Sequence, residues 1–302
     1  MQSRRSDAPS PAAGPRPAKA EPIPITHADR VIFPADGVTK GDVAEYYARV
    51  ADRMAPYLQR RLVSVIRVPD SIEAETFFQR HPMPGMKRGV FRVKEGDKVY
   101  MALDGAEGLR TAAQFGVVEF HGWMSRIDSP DHPDRLIFDL DPDPSVAFDD
   151  VKGAAREIAD RLEAIGLQTW PMISGGKGVH VVAPLDRSLT TGDVETFAHA
   201  FAQELAEKQP NRFVASMSKA RRTDRIFIDW LRNNKGSTAI LPWSLRARPT
   251  APIAVPLSWR ALERVTSAAG HTIKDAVALE DPWEAFRARL QTIPKTAVAA
   301  AR

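Results

Sequence analysis

Residues 135–144 read RLIFDLDPDP. In a strand, residues i and i+2 share a face. Leu136, Phe138 and Leu140 then face one side, and Ile137, Asp139 and Asp141 the other. Two carboxylates side by side at a strand end repel each other and need something positive between them. A hard divalent cation, Mg²⁺ or Mn²⁺, meets that need through oxygen ligands. Asp143 keeps the same parity, but Pro142 and Pro144 should end the strand. The plainer reading is an acidic turn that caps the next helix.

Around this strand the chain alternates. The spacing predicts a helix over 149–165 closed by Gly166, strands over 167–173 and 179–183 joined by a glycine-rich turn, and a helix over 193–208. A strand over 225–230 follows, with terminal helices over 257–269 and 282–291. In the first half, Thr39 and Asp42 read as a capping pair for a helix through Val43, Tyr47 and Met54, disrupted or ended at Pro56. Short apolar runs at 62–66, 89–93, 99–103 and 117–121 read as strands, with a helix near 106–114. No repeat and no linker interrupts residues 25–294. The expectation is one α+β domain with mixed or antiparallel sheets and flanking helices around a central cleft. Residues 1–24, with six prolines and five alanines, read as a disordered leader, and 295–302 as a flexible tail.

Three further stretches carry chemistry. In RIFIDWL, Asp229 lies among apolar residues, which is costly without a partner. It is either a third metal ligand or half of a buried salt bridge to a nearby arginine. In SGGKGVH, residues 174–180, the glycines let backbone amides approach an anion, Lys177 adds charge, and Ser174 and His180 add donors. It is not a Walker A loop, because Gly178 follows the lysine. An ordinary glycine hairpin is the alternative. Residues 219–248 hold eight basic residues against two acidic ones, a net of +6. Among them Arg246 and Arg248 share strand parity and suit phosphate, although a solvated basic face is the commoner explanation. His121 stands at another predicted strand end, while the pair Phe77–Phe78 sits in a polar context, where neighbouring aromatics beside Arg80 and His81 could stack on bases or pack in the core.

Composition narrows the classes. The 302 residues are 43% hydrophobic and 26% charged, with a net charge of +4. That is the composition of a folded globular chain, and no apolar run is long enough for a membrane span. Cysteine is absent, which excludes disulfides, a thiol nucleophile and cysteine-ligated metals. The seven histidines form no HxxxH pair, which argues against a histidine zinc site. There is no GxSxG elbow.

DLDPDP, SGGKGVH and FIDWLR, in this order and spacing, resemble the three active-site motifs of the archaeo-eukaryotic primase superfamily. More closely, the chain resembles the polymerase domain of bacterial ligase D, from about His27 to Trp283. HADRVIFPADGVTKGD, FFQRH, EFHGW and the late DPW fit as well. The resemblance implies a primase-polymerase fold and a template-dependent nucleotidyltransferase that fills gaps and processes ends in non-homologous end joining, with ribonucleotides preferred. It implies two divalent ions, Mn²⁺ or Mg²⁺, held by Asp139, Asp141 and Asp229. Ser174, Lys177, His180 and Arg246 would hold the triphosphate, His121 would lie near the sugar or phosphates, and Arg232 and Arg248 would support the acidic site. Arg30 and Lys40 match positions for a DNA 5′-phosphate, with arginine where lysine is common at the first. Phe77 and Phe78 match a template-stacking pair. Ku and a DNA ligase are the implied partners, in a cytoplasmic, nucleoid-associated setting. No KxDG ligase motif is present, so this chain cannot itself seal DNA. Two other classes stay open: a silent DNA-end binding module, which would be expected to lack a carboxylate, and a metal nuclease, which needs no triphosphate cradle.

Overall fold

The strand Arg135–Pro142 lies third of six in its sheet, whose order is Phe213–Val214, Ile226–Asp229, Arg135–Pro142, Val179–Pro184, Trp170–Ile173 and Val255–Pro256. This is a computed structural model, and it describes residues 23–302. The leader expected over 1–24 falls almost wholly outside the described residues. Within the sheet only Phe213–Val214 runs parallel to its neighbour; all other pairs are antiparallel. Leu136, Phe138 and Leu140 are buried completely, as the apolar parity requires. They lie among helices Phe148–Ala164 and Thr191–Lys208, which show the 3.6-residue apolar spacing of core-facing helices.

A second sheet is built from the first half of the chain. Its order is Thr238–Ile240, Val117–Trp123, Leu62–Arg67, Lys98–Leu103 and Val90–Glu95, with Phe77–Gln79 also paired to Leu62–Arg67. Helix Lys40–Leu58 packs on Gly105–Gln114 beside it. Tyr46 and Tyr47, on successive positions of that helix, donate to the carbonyls of Trp243 (2.6 Å) and Val118 (2.5 Å). Buried hydroxyls need such partners, and here they tie the helix to a turn and a strand distant in sequence. The mixed α/β architecture with antiparallel sheets follows the expectation.

Several boundaries differ, each for a local reason. Thr39 and Asp42 do form a capping box, as do Thr190 and Asp193. Pro56 does not end its helix, which continues to Leu58. The proline sits in the last turn, and Asp52, whose carbonyl it leaves without a partner, is exposed to water. The central strand likewise runs through Pro142, paired with Ile226. The helices expected over 257–269 and 282–291 shrink to Trp259–Arg264 and Glu284–Ala288. The first stops where β-branched Val265 and Thr266 follow. The second starts only after Trp283, whose buried indole donates to the Leu257 carbonyl at 3.0 Å. Residues 295–302, expected as a flexible tail, carry a helix over Lys295–Ala300 that buries Val298 against helix Thr191–Lys208. Among the described residues no helix is long and apolar enough to cross a membrane.

Candidate active site between the two sheets

Register decides what meets here. Asp139 is the cross-strand partner of both Asp229 and His180, and Asp141 pairs with Phe227. Directly opposed residues of an antiparallel pair share a face. Asp139, Asp141, Asp229 and His180 therefore stand on one face of the first sheet. A cavity of about 370 Å³ opens over it. Its opposite wall is His121 and Ile240 of the second sheet, and its rim is Ser174, Lys177, Arg246 and Arg248.

The carboxylates are partnered by arginines. Arg232 bridges Asp139 (Nε to Oδ2, 3.1 Å) and Asp229 (Nη2 to Oδ2, 3.0 Å), while Arg222 reaches Asp141 at 3.3 Å. His180 Nε2 lies 3.2 Å from Asp139 Oδ1, and its buried Nδ1 has no partner among the described residues. Burial pushes the Asp139 carboxyl up, but His180 and then Arg232 outweigh it and hold it well below the usual range. Asp141 is raised by burial and then by Asp139. Asp229 is raised by burial, against the pull of Arg232. The positive charge that the paired carboxylates demanded is thus a guanidinium. No group of three Asp, Glu or His among the described residues stands ready to ligate a metal. The donor chemistry still suits a hard cation: three carboxylates share one face, and burial raises two of them, a penalty that a bound cation would relieve.

The glycine turn departs from its expected role in one respect. The amides of Gly176 and Gly178, which the sequence reading aimed at an anion, both donate to Ser174 Oγ at 3.3 Å. A serine hydroxyl two to four residues back competes for such amides. Positive charge at the rim comes instead from side chains. Lys177 and Arg248 are exposed and have no carboxylate partner among the described residues. Arg246 donates to the Ser174 carbonyl at 2.9 Å and lies 3.2 Å from Glu119. Gly175 has φ +66°, and a Cβ at Gly178 would meet the Leu140 carbonyl oxygen at 1.9 Å, so both glycines serve the turn itself. A Cβ at Gly176 would meet nothing closer than 3.4 Å and would point toward Arg246 and Arg248. His180, expected to hold a triphosphate, is buried and committed to Asp139.

Glu119 escaped the sequence reading. It is buried, bonded to His121 Nε2 at 2.8 Å, and it accepts the Ala247 amide at 2.7 Å. Burial raises its carboxyl, but the His121 bond and Arg246 pull it down to about 2. His121 is itself lowered by burial, against the pull of Glu119. The available signal was parity, since Glu119 and His121 are two residues apart in one strand.

The remaining candidates lie outside the cavity. Phe77 and Phe78 are 39% and 51% exposed, so neither packs in the core. Phe78 approaches His121 edge-on, 6.4 Å between ring centroids. Arg30 and Lys40 are neighbours through the Lys40 amide, which donates to the Arg30 carbonyl at 2.8 Å. The Lys40 ammonium is buried against neutral acceptors, the Thr26 carbonyl (3.0 Å) and Gln114 (3.2 Å). Burial and then Arg30 lower its pKa.

Known proteins resemble this chain in sequence and fold. LigD of Pseudomonas aeruginosa, a multifunctional non-homologous end joining protein, is 34% identical over 291 residues, 93% of this chain and 35% of its own length. LigD of Mycobacterium tuberculosis (strain H37Rv), a multifunctional non-homologous end joining DNA repair protein, is 33% identical over 258 residues, 82% of this chain and 34% of its own. This chain spans about a third of these relatives. The polymerase domain from Mycobacterium tuberculosis ligase D, solved in complex with DNA, matches with a TM-score of 0.78 and 30% identity, covering 88% of this chain and 98% of that one. Residues 39–283 match the LigD primase-polymerase domain, a span that includes both large sheets and every wall of the cavity. The chain belongs to the LigD primase-polymerase family.

Proposed function

We propose that this chain is a template-dependent nucleotidyltransferase that adds nucleotides, preferentially ribonucleotides, to DNA 3′ ends during non-homologous end joining. The observation that carries the reading is the cavity itself: a carboxylate face (Asp139, Asp141) meets a basic rim (Lys177, Arg246, Arg248). A triphosphate is the ligand that needs both, because its charge must be neutralised and its α-phosphorus must lie near the carboxylates.

Lys177, Arg246 and Arg248 receive the triphosphate, with the Ser174 hydroxyl as a further donor. Glu119 fixes His121 and Arg246, so that His121 presents one ring edge to the incoming sugar. His180 and Arg232 orient Asp139, keeping it ionised. Asp139, Asp141 and Asp229 would hold two divalent ions, Mn²⁺ or Mg²⁺, which when bound supply Lewis acidity to the primer hydroxyl and the departing pyrophosphate. Phe77 and Phe78 offer exposed faces for template bases, and Arg30 with Lys40 receives a 5′-phosphate across a gap. Ku and a DNA ligase are the partners this chemistry calls for, because the filled gap must be located and sealed. The test is extension of a gapped, 5′-phosphorylated duplex with each NTP and each dNTP plus Mn²⁺. Extension that follows the template base and favours NTPs is expected; strand cleavage without extension would point to a nuclease.

A further inference from the structure

The two central strands carry a second polar site at their other end. Asp139 pairs with His180 at the catalytic end, and Arg135 pairs with Pro184 four residues away, about 13 Å along the strand. There a cavity of about 520 Å³ is lined by five arginines (126, 135, 187, 287 and 289). Arg187 is paired with Asp128 (2.9 Å) and Arg287 with Asp281 (2.6 Å), which leaves Arg126, Arg135 and Arg289 facing Asp52 and Asp134. Neither family motif nor catalytic residue lies in it.

Arg135 is the centre of the site. Its side chain is only 6% exposed, and its Nε lies 3.2 Å from Asp134 Oδ1. Its terminal amino groups have no hydrogen-bond partner among the described residues. Asp134 cannot satisfy them, because Arg61 (2.6 Å) and Arg126 (2.8 Å) already occupy its other oxygen. Three guanidinium groups thus share one buried carboxylate. Arg61 shows the cost: burial and then Arg135 push its pKa down to about 10. Arg126 also uses only Nε, and Arg289 is exposed with no acidic partner among the described residues. A buried guanidinium with free donors, facing a roomy cavity, is a group prepared for an oxyanion. The other wall is apolar: Leu185 and Phe286 are buried there, and Leu290 is 77% exposed at the rim.

We infer that this cavity is a second phosphate-binding site, taking a phosphate-bearing ligand of nucleotide size on Arg135, Arg126 and Arg289, with its apolar part against Phe286 and Leu290. Two planar forks with unused N–H groups match a tetrahedral oxyanion better than a single carboxylate would. Arg61, Arg126, Arg135 and Arg289 outnumber Asp52 and Asp134, and that excess favours an anion. Free nucleotide and nucleic-acid backbone both present this chemistry.

Calorimetric titration of the full chain with pyrophosphate, without divalent metal, tests the inference. Wild type should bind at two sites. Lys177→Ala/Arg246→Ala should keep one, and adding Arg126→Gln/Arg289→Gln should weaken that one by about tenfold or more. Arg289→Glu alone repeats the test without touching Asp134, and unchanged melting confirms the fold of each variant. In the Lys177→Ala/Arg246→Ala protein, displacement of pyrophosphate by ADP identifies a free nucleotide. Displacement only by a single-stranded oligonucleotide lacking terminal phosphates identifies backbone. The inference is overturned if that variant binds no pyrophosphate. It also fails if the residual binding ignores the arginine substitutions, or if neither competitor displaces it.

Discussion

Gly176→Val separates the nucleotide cradle from the turn that carries it. A Cβ at this position lies 3.4 Å from Ser174 Oγ, 3.6 Å from Arg246 Nη1 and 3.8 Å from Arg248 Cζ, all ordinary contacts, and the backbone needs no left-handed φ. The valine methyl groups would then fill the space in front of two guanidinium groups. Loss of one charge-assisted hydrogen bond costs roughly 1.5–3 kcal/mol. Nucleotide affinity should therefore fall by about 10- to 150-fold. Stability should change by less than about 1 kcal/mol, a few degrees in Tm at most. Gly178→Ala should behave in the opposite way, because its Cβ would stand 1.9 Å from the Leu140 carbonyl oxygen, and the turn or the central strand must move. The assay is nucleotide affinity, DNA-end affinity and Tm measured on the same two variants. A Gly176→Val protein that binds nucleotide as well as wild type would refute the placement of the triphosphate. So would one that loses DNA ends and keeps nucleotide, since SGGKGVH would then be a DNA-contact loop.

Asp229→Ala should abolish nucleotide addition while Tm stays close to wild type, because Arg232 keeps its contact with Asp139; residual extension above background would remove Asp229 from the reaction. The double change Arg30→Ala/Lys40→Ala should erase any preference for a 5′-phosphorylated end and lower the salt dependence of binding, measured by titration of phosphorylated and hydroxyl ends at several salt concentrations. Glu119 has a folded-state pKa of about 2 against an ordinary 4.5. A depressed carboxylate contributes stability that is complete above its unfolded pKa and lost as pH falls through the folded one, here on the order of 3 kcal/mol. Glu119→Gln should thus flatten the fall of Tm between pH 4.5 and 2, and an unchanged slope would count against the depressed carboxyl.

Local pattern made much of the frame legible. DLDPDP placed two carboxylates on one strand face by parity alone, and the Thr39–Asp42 capping box needs only residues three apart. The long helices declared themselves through apolar spacing that repeats over several turns. Strands of two or three residues, such as Val255–Pro256 and Thr238–Ile240, carry no period, and only their neighbours make them strands. The terminal helices were overestimated for a related reason: the buried Trp283 and the β-branched run after Arg264 set their bounds.

At the site, the residue types were legible and their partners were not. Nothing in the order of residues states that Glu119 accepts the amide of Ala247, or that Arg246 lies beside both Glu119 and Ser174. Nor does it state that Ser174 takes the amides meant for an anion, since a free donor and a satisfied one look alike in sequence. The demand for positive charge beside Asp139 could be read from electrostatics, but register brought Asp229 opposite it and Arg232 between them. The same holds for Arg135, an unremarked strand residue until burial and three shared contacts on Asp134 set its donors apart. Sequence by itself determined which groups this protein possesses and which faces its regular elements present, because those follow from short-range geometry. Tertiary structure alone decided which charges are neutralised and which remain available, because that depends on packing between segments distant along the chain.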